Sequence, residues 1–186
     1  IEKSKRYITV ITEQSTLKCK KCIFSTGAFA NIGNTIPRPI DYGVVPHSAV
    51  LGEIPEGQLE KFIGMPTLSY RLGDKPNKFL YFLPPVKYPN GKHYVKIGHA
   101  LGDEMAKDKQ ALKEWFHSDG DQSKIPWLTK SLRELLPSVI FNGFHSVPCV
   151  TTTSPTGGNY IDQFEDERLY ALFAGGGYCA KSADEL

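Results

Sequence analysis

No strand in this chain runs into G-x-G-x-x-G and a helix, so the main phosphate anchor of a dinucleotide site is missing. No apolar run approaches the roughly 20 residues a bilayer-spanning helix needs, and no signal peptide is visible. A net charge of +2 lacks the strong basic bias of a nucleic-acid surface. The cluster Lys18, Lys20 and Lys21 is short and reads as a solvated strand end. G-x-S-x-G is absent, which removes the usual signature of a serine hydrolase. The five histidines show no metal spacing, and His93 and His99 are too far apart on one strand to chelate together. Neither a metal, a nucleic acid nor a membrane is therefore expected as a partner.

Cysteine is sparse: Cys19, Cys22, Cys149 and Cys179. A thioredoxin-like C-x-x-C sits at a helix N-terminus, whereas Cys19-Lys20-Lys21-Cys22 falls at the start of an expected strand. Period two would send the two sulfurs to opposite faces, and a zinc site would need a second close pair. Structural thiols in a reducing compartment, cytoplasm or peroxisome, are the expectation. The chain opens on Ile1 rather than Met, so a trimmed or processed N-terminus is expected. The final Ala183-Asp184-Glu185-Leu186 lacks the basic first residue of an ER-retention tail.

What the chain does have is two apolar strands that end in glycine. Leu169 to Ala174 runs into Gly175-Gly176-Gly177-Tyr178, and Lys21 to Ser25 runs into Thr26-Gly27-Ala28. Glycine after a buried strand lets a flat or charged group approach the backbone, and in open α/β sheets such ends border cofactors. The first and last thirds therefore read as neighbouring parallel strands. Between them, the patterns over 44–54, 66–72, 78–83 and 93–99 predict strands, with Asn90-Gly91 as a hairpin signal. Residues 108–117 and 123–136 have helical spacing, with Asp108 as a cap and Pro137 as a stop. Strand character returns over 138–153, and 31–40 reads as a linker. The expected class is α+β: an antiparallel sheet with two helices, on a remnant of an α/β sheet.

Three side chains invite a chemical reading. Lys96 lies inside the apolar run Tyr94-Val95-Lys96-Ile97-Gly98, where a lysine is either buried and functional or turned outward from an edge strand. Cys149, in Val147-Pro148-Cys149-Val150, behaves locally as a small hydrophobe. Tyr81, between Leu80 and Phe82, is either core or a pocket wall.

Taken in order, these segments resemble the later half of an FAD-dependent amine oxidase of the D-amino-acid-oxidase superfamily, of the sarcosine or pipecolate oxidase type. The residues that carry the resemblance are Tyr7 to Ala30, Phe79 to Pro84, Tyr94 to His99, Pro148 to Asp162 and Phe173 to Cys179. It implies 1–40 as a remnant of the FAD-binding domain, 41–147 as the substrate-binding antiparallel domain, and 148–186 as the return to the FAD-binding domain. It implies oxidation of a secondary amine or N-substituted amino acid to an imine, with hydrogen peroxide as the other product. Lys96 falls on the lysine that helps oxygen accept electrons, Tyr81 on a substrate-contacting aromatic, and Cys149 on the cysteine that joins the flavin in covalent members. Thr26, Gly27, Gly175, Gly176, Gly177 and Tyr178 fall on flavin-adjacent backbone. Gly176 and Cys179 depart from the family's G-H-G-F-K loop, replacing its histidine and its carboxylate-holding lysine. The βαβ unit that holds the ADP half of FAD is missing, so an N-terminal FAD-binding segment is the expected partner. The alternative expectation is a non-catalytic substrate-domain module that binds a small ligand or a protein.

Overall fold

The computed structural model describes residues 1–71, 79–99 and 108–176. In chain order the first strands are β1 (Glu2–Lys3), β2 (Ile8–Ile11), β3 (Thr16–Cys19), β4 (Cys22–Phe24), β5 (Gly43–Ile54) and β6 (Leu68–Arg71). They are followed by β7 (Phe79–Lys87), β8 (His93–His99), helices α1 (Lys109–Phe116) and α2 (Ile125–Leu135), then β9 (Gly143–Thr153), β10 (Tyr160–Gln163) and β11 (Leu169–Phe173). The α+β expectation holds, with mostly antiparallel sheets. Among the described residues, no helix is long and apolar enough to cross a membrane. The chain divides into two compact units. One comprises Ile1–Val45, Glu104–Leu112 and Thr151–Leu186, the other Pro46–Asp103 and Lys113–Val150.

The first unit holds two three-stranded sheets, ordered β1-β2-β3 and β10-β11-β4. β4 and β11 pair in parallel, with Cys22 opposite Leu169 and Phe24 opposite Ala171, as the glycine-ended strands predicted. Cys19 and Cys22 do not share a strand. Cys19 closes β3 and Cys22 opens β4, in different sheets, so the divergence expected from strand period does not apply. The two thiols lie close enough for Cys19 to help burial push the Cys22 thiol up. The linker expected over 31–40 is a closed loop. Asn31 Nδ2 donates to the Ile40 carbonyl at 2.7 Å and Asn31 Oδ1 accepts the Ile40 N–H at 2.9 Å. Arg168 grips Asp166 with two nitrogens at 2.9 and 2.8 Å and reaches the Ser4 carbonyl at 2.8 Å. That fork ties the β10–β11 turn to the N-terminal segment and holds the Asp166 carboxyl well below the usual range.

The second unit is built on a five-stranded sheet ordered β6-β7-β8-β5-β9. β7 outruns its expected end at residue 83 because a register shift between Leu83 and Val86 absorbs Pro84 and Pro85. The prolines lie past β6, whose pairing reaches only Phe82, so their missing N–H groups cost no ladder bond on that side. Period two commits Leu80, Phe82, Val95, Ile97, Val50 and Ile54 to one face, where they pack with Leu128 and Leu132 of α2. Leu128 and Leu132 stand one helical turn apart on α2 and are fully buried. Asp108 caps α1 as expected, its Oδ1 accepting the Ala111 N–H at 2.9 Å.

Two buried histidines also belong to this unit. His47 and His99 meet edge to face, with ring centroids 6.2 Å apart, and Trp127 lies 6.0 Å from His99. Burial lowers both pKa values, and the charges of His47 and Lys124 add to the effect on His99. Their neutral forms are favoured on folding. The resulting stability is fully present above about pH 6.5, the unfolded value, and is lost as pH falls through the lower folded values. Glu53, whose carboxyl is lowered by Lys92 and Asn142, loses its contribution in a separate window below about pH 4.5.

Urea midpoints are expected to fall between pH 7 and pH 5, and His99→Phe is expected to flatten that fall. An unchanged slope would remove the histidine pair as its cause. Leu132→Ala is expected to cost about 2–5 kcal/mol by denaturant titration.

Candidate functional site

In the second unit, Tyr81 stands opposite Gly98, Gly98 opposite Ala49, and Lys96 opposite Leu83 and Leu51. Directly paired residues share a face, so Tyr81, Gly98, Ala49 and Lys96 all lie opposite the helix-covered face. β8 is an interior strand, between β7 and β5. The edge-strand alternative for Lys96 therefore fails. Lys96 is half-buried, as are Tyr81 and Cys149.

The three side chains lie close together. Lys96 Nζ sits 5.9 Å from the centroid of the Tyr81 ring, within reach of a cation–π attraction. Cys149 lies near enough for its thiol to feel both the Lys96 charge and the Tyr81 hydroxyl. Burial raises the Cys149 thiol above its ordinary range, while the Lys96 ammonium and the Tyr81 hydroxyl act in the opposite direction. Burial, then the neighbouring sulfur, pushes the Tyr81 phenol up. The result is a neutral thiol and a neutral phenol held beside a cation at neutral pH. The cluster can donate hydrogen bonds and stabilise a developing anion.

Two supports for this cluster lie outside the residues singled out from the sequence. The first is Gly98. A Cβ there would overlap Cζ and the hydroxyl oxygen of Tyr81 and lie 2.7 Å from its Cε1. An isolated glycine within a strand signals close approach, so this one was legible in principle. The second is Trp115 of α1, whose Nε1 donates to the Cys149 carbonyl at 2.9 Å. No local pattern links residues 34 positions apart.

The first unit carries the backbone residues. Because β4 and β11 are parallel, Thr26-Gly27 and Gly175-Gly176 leave the sheet at the same edge. Gly27 and Gly176 both have φ of +56°, which L side chains rarely adopt. Thr26 has φ −81° and ψ 9°, in the sparsely occupied bridge region. Ala174 has φ +57° without being glycine, a feature no motif announced. Gly177 and Tyr178 lie outside the described residues. An open pocket of about 280 Å³ in this unit is lined by Arg38, Ile40, Asp41, Tyr160, Asp162 and Phe164, among others, and by none of the expected site residues. Among the described residues no three His, Cys, Asp or Glu side chains form a metal-holding group.

No protein-family model matches the sequence, and no curated protein matches it. Among solved structures the chain is similar to a crystal structure of a thermally stable mutant of fructosyl peptide oxidase, with a TM-score of 0.53 and 12% identity. The likeness covers 90% of this chain and 40% of that one. At this identity it is a likeness of fold alone.

Gly98→Ala is expected to destabilise the chain by about 1–3 kcal/mol, because the Tyr81 ring must shift to admit a methyl group. Denaturant titration measures it; a cost near zero would mean the ring yields freely.

Proposed function

We propose that this chain is the substrate-side portion of an FAD-dependent oxidase of a secondary amine or N-substituted amino acid. In the overall reaction the amine gives up two electrons and two protons to become an imine, and molecular oxygen takes up both pairs to become hydrogen peroxide. One observation carries the proposal: Lys96 and Tyr81 share one face of one sheet, 5.9 Å from ammonium to ring centroid, and the Cys149 thiol, distant in sequence, lies near enough to feel both. The likeness of fold to an oxidase supports it.

FAD, when bound, would supply the two-electron chemistry, and the chain would supply orientation and electrostatics. Lys96 would hold a positive charge where negative charge develops on oxygen. Tyr81 would present its ring and hydroxyl to the substrate. Cys149 would be the position of a thioether to the flavin. Thr26, Gly27, Gly175 and Gly176, with Gly177 and Tyr178 beyond them, would be the backbone that the ring approaches.

The residues present suit the ring end of FAD better than its phosphate end. Nothing lies within 4 Å of where a Gly27 Cβ would stand, so a planar group could approach it. After β4, however, comes a three-residue 3-10 turn, Gly27–Phe29, rather than an α-helix whose N-terminus could hold a pyrophosphate. That half would come from a preceding FAD-binding segment, and these residues alone are not expected to turn over. Gly176 and Cys179, where the family has histidine and lysine, favour a substrate whose carboxylate is held differently. The same departures favour the second reading, a non-catalytic module for a small ligand or partner.

Purified protein including any preceding segment is expected to be yellow, with colour that survives acid precipitation and is lost from the precipitate in Cys149→Ser. A colourless protein that takes up no added FAD would leave only the module reading. In the flavin-loaded protein, Lys96→Met is expected to slow reoxidation by oxygen about 100-fold and to spare reduction by substrate. Equal losses in both steps, followed by stopped flow, would refute the oxygen role.

A further inference from the structure

We propose that the pocket of the first unit binds a linear zwitterion, a small molecule with a carboxylate at one end and an ammonium at the other, held between Arg38 and Asp162. The pocket shares no residue with the cluster around Lys96 or with the glycine-ended strand tips, so the proposal stands apart from the oxidase reading.

One wall of the pocket is β10, where period two puts Tyr160, Asp162 and Phe164 on one face. Phe164 lies one residue past β10, but its N–H still donates to the Leu169 carbonyl at 2.9 Å, so the alternation carries through. Ala171 of β11 pairs directly with Asp162 and keeps the floor low. The other wall is residues 38–41, whose backbone is fixed by the two hydrogen bonds of Asn31 to Ile40. The space between them is about 280 Å³, enough for a small ligand.

The two walls carry opposite charges that form no ion pair with each other. Arg38 instead meets Glu165 through Nε at 3.4 Å, and both side chains are exposed. Such a pair is worth little, and it leaves the terminal nitrogens of the guanidinium fork for a carboxylate. The guanidinium carbon lies 5.9 Å from the centroid of the Phe164 ring. That ring is buried and set edge-on against Phe24, 5.8 Å away, so the platform under the cation is rigid. Asp162 uses Oδ1 to accept the Gln163 N–H at 2.8 Å and keeps Oδ2 for a donor. Asp41, on the Arg38 wall, adds a second negative charge. Phe164 and Asp162 stand about 7 Å apart along the strand, so a ligand that satisfies both ends needs several bonds between its charges. An α-amino acid, whose two charged groups share one carbon, is too short. Ile40 and Ala171 offer apolar surface to the linking chain.

The test uses three probes of equal carbon number that differ at one end: ε-aminocaproate, hexylamine and hexamethylenediamine. Each is titrated by calorimetry into the protein including any preceding segment. The expected order is ε-aminocaproate first, hexylamine about 3- to 5-fold weaker, and the diamine weaker again because its second ammonium meets Arg38. Arg38→Glu is expected to invert that order and make the diamine the tightest. Arg38→Gln, which removes the charge without reversing it, is expected to bring ε-aminocaproate and hexylamine level. In Asp162→Asn the amide oxygen can still accept the Gln163 N–H, and all three amines are expected to weaken about 3- to 5-fold. Both positions are exposed, so these variants are expected to fold. The proposal is overturned by absence of binding of ε-aminocaproate, by a diamine that binds tightest to the parent, by an order unchanged in both Arg38 variants, or by unchanged affinities in Asp162→Asn. Failure of FAD to bind would refute the oxidase reading and leave every one of these results standing.

Discussion

The packing of α2 on one face of the five-stranded sheet decides where the chemistry can go. Val50, Leu80, Phe82, Val95 and Ile97 are buried against Leu128 and Leu132. Each such side chain is worth about 1.5–3 kcal/mol in apolar burial. With that face taken, strand period leaves Tyr81, Lys96 and Gly98 no choice but the other. A one-residue slip of β8 would drive Lys96 into the helix interface and lift Val95 and Ile97 out of it. The lysine's position is therefore enforced by its apolar neighbours, and no interaction of the lysine itself is needed to explain it.

On the same face, a polar knot fixes the strands that flank the cluster. Glu53 of β5 accepts from Lys92 Nζ at 2.8 Å and from Asn142 Nδ2 at 3.1 Å, while its carbonyl accepts the Asn142 N–H at 3.0 Å. A buried carboxylate is costly without partners, and here the partners come from the β7–β8 hairpin and from the residue before β9. Losing either would leave charge uncompensated and loosen the register of both strands. The knot and the Trp115 indole together seat β9 at two points, so Cys149 is presented by a strand held near its start and again at the cysteine itself.

Legibility from sequence followed the range of the interaction concerned. Residues 93–99 alternate cleanly around an apolar face, and β8 matches that span to the residue. The parallel neighbours β4 and β11 were readable because both are short, apolar and stopped by glycine. Residues 31–40 misled because their prolines and glycine signal irregular backbone without showing that Asn31 closes it on Ile40. Cys19 and Cys22 misled because the boundary between two sheets falls between them, where period two stops applying. Lys96, Tyr81 and Cys149 could be named from sequence, yet nothing in Val95-Lys96-Ile97 tells an edge strand from an interior one. Only the pairing on both sides of β8 settles that. The proximity of residues 81 and 149 has no sequence signal of any kind.

The backbone at the end of β11 extends the argument to the first unit. An L-residue in the left-handed region costs about 1–2 kcal/mol, and Ala174 adopts φ +57° immediately before Gly175, which could have taken that conformation freely. Such strain persists only where the surroundings over-determine it. They do here: β11 is paired along its length with β10 and in parallel with β4, and Phe173 and Ala174 are both buried. The chain must therefore turn at Ala174 rather than one residue later, which brings Gly175 and Gly176 out at the edge where Thr26 and Gly27 also emerge. Two strands of different origin in the sequence thus release their glycines together, and the sheet, rather than the glycines, sets where that happens.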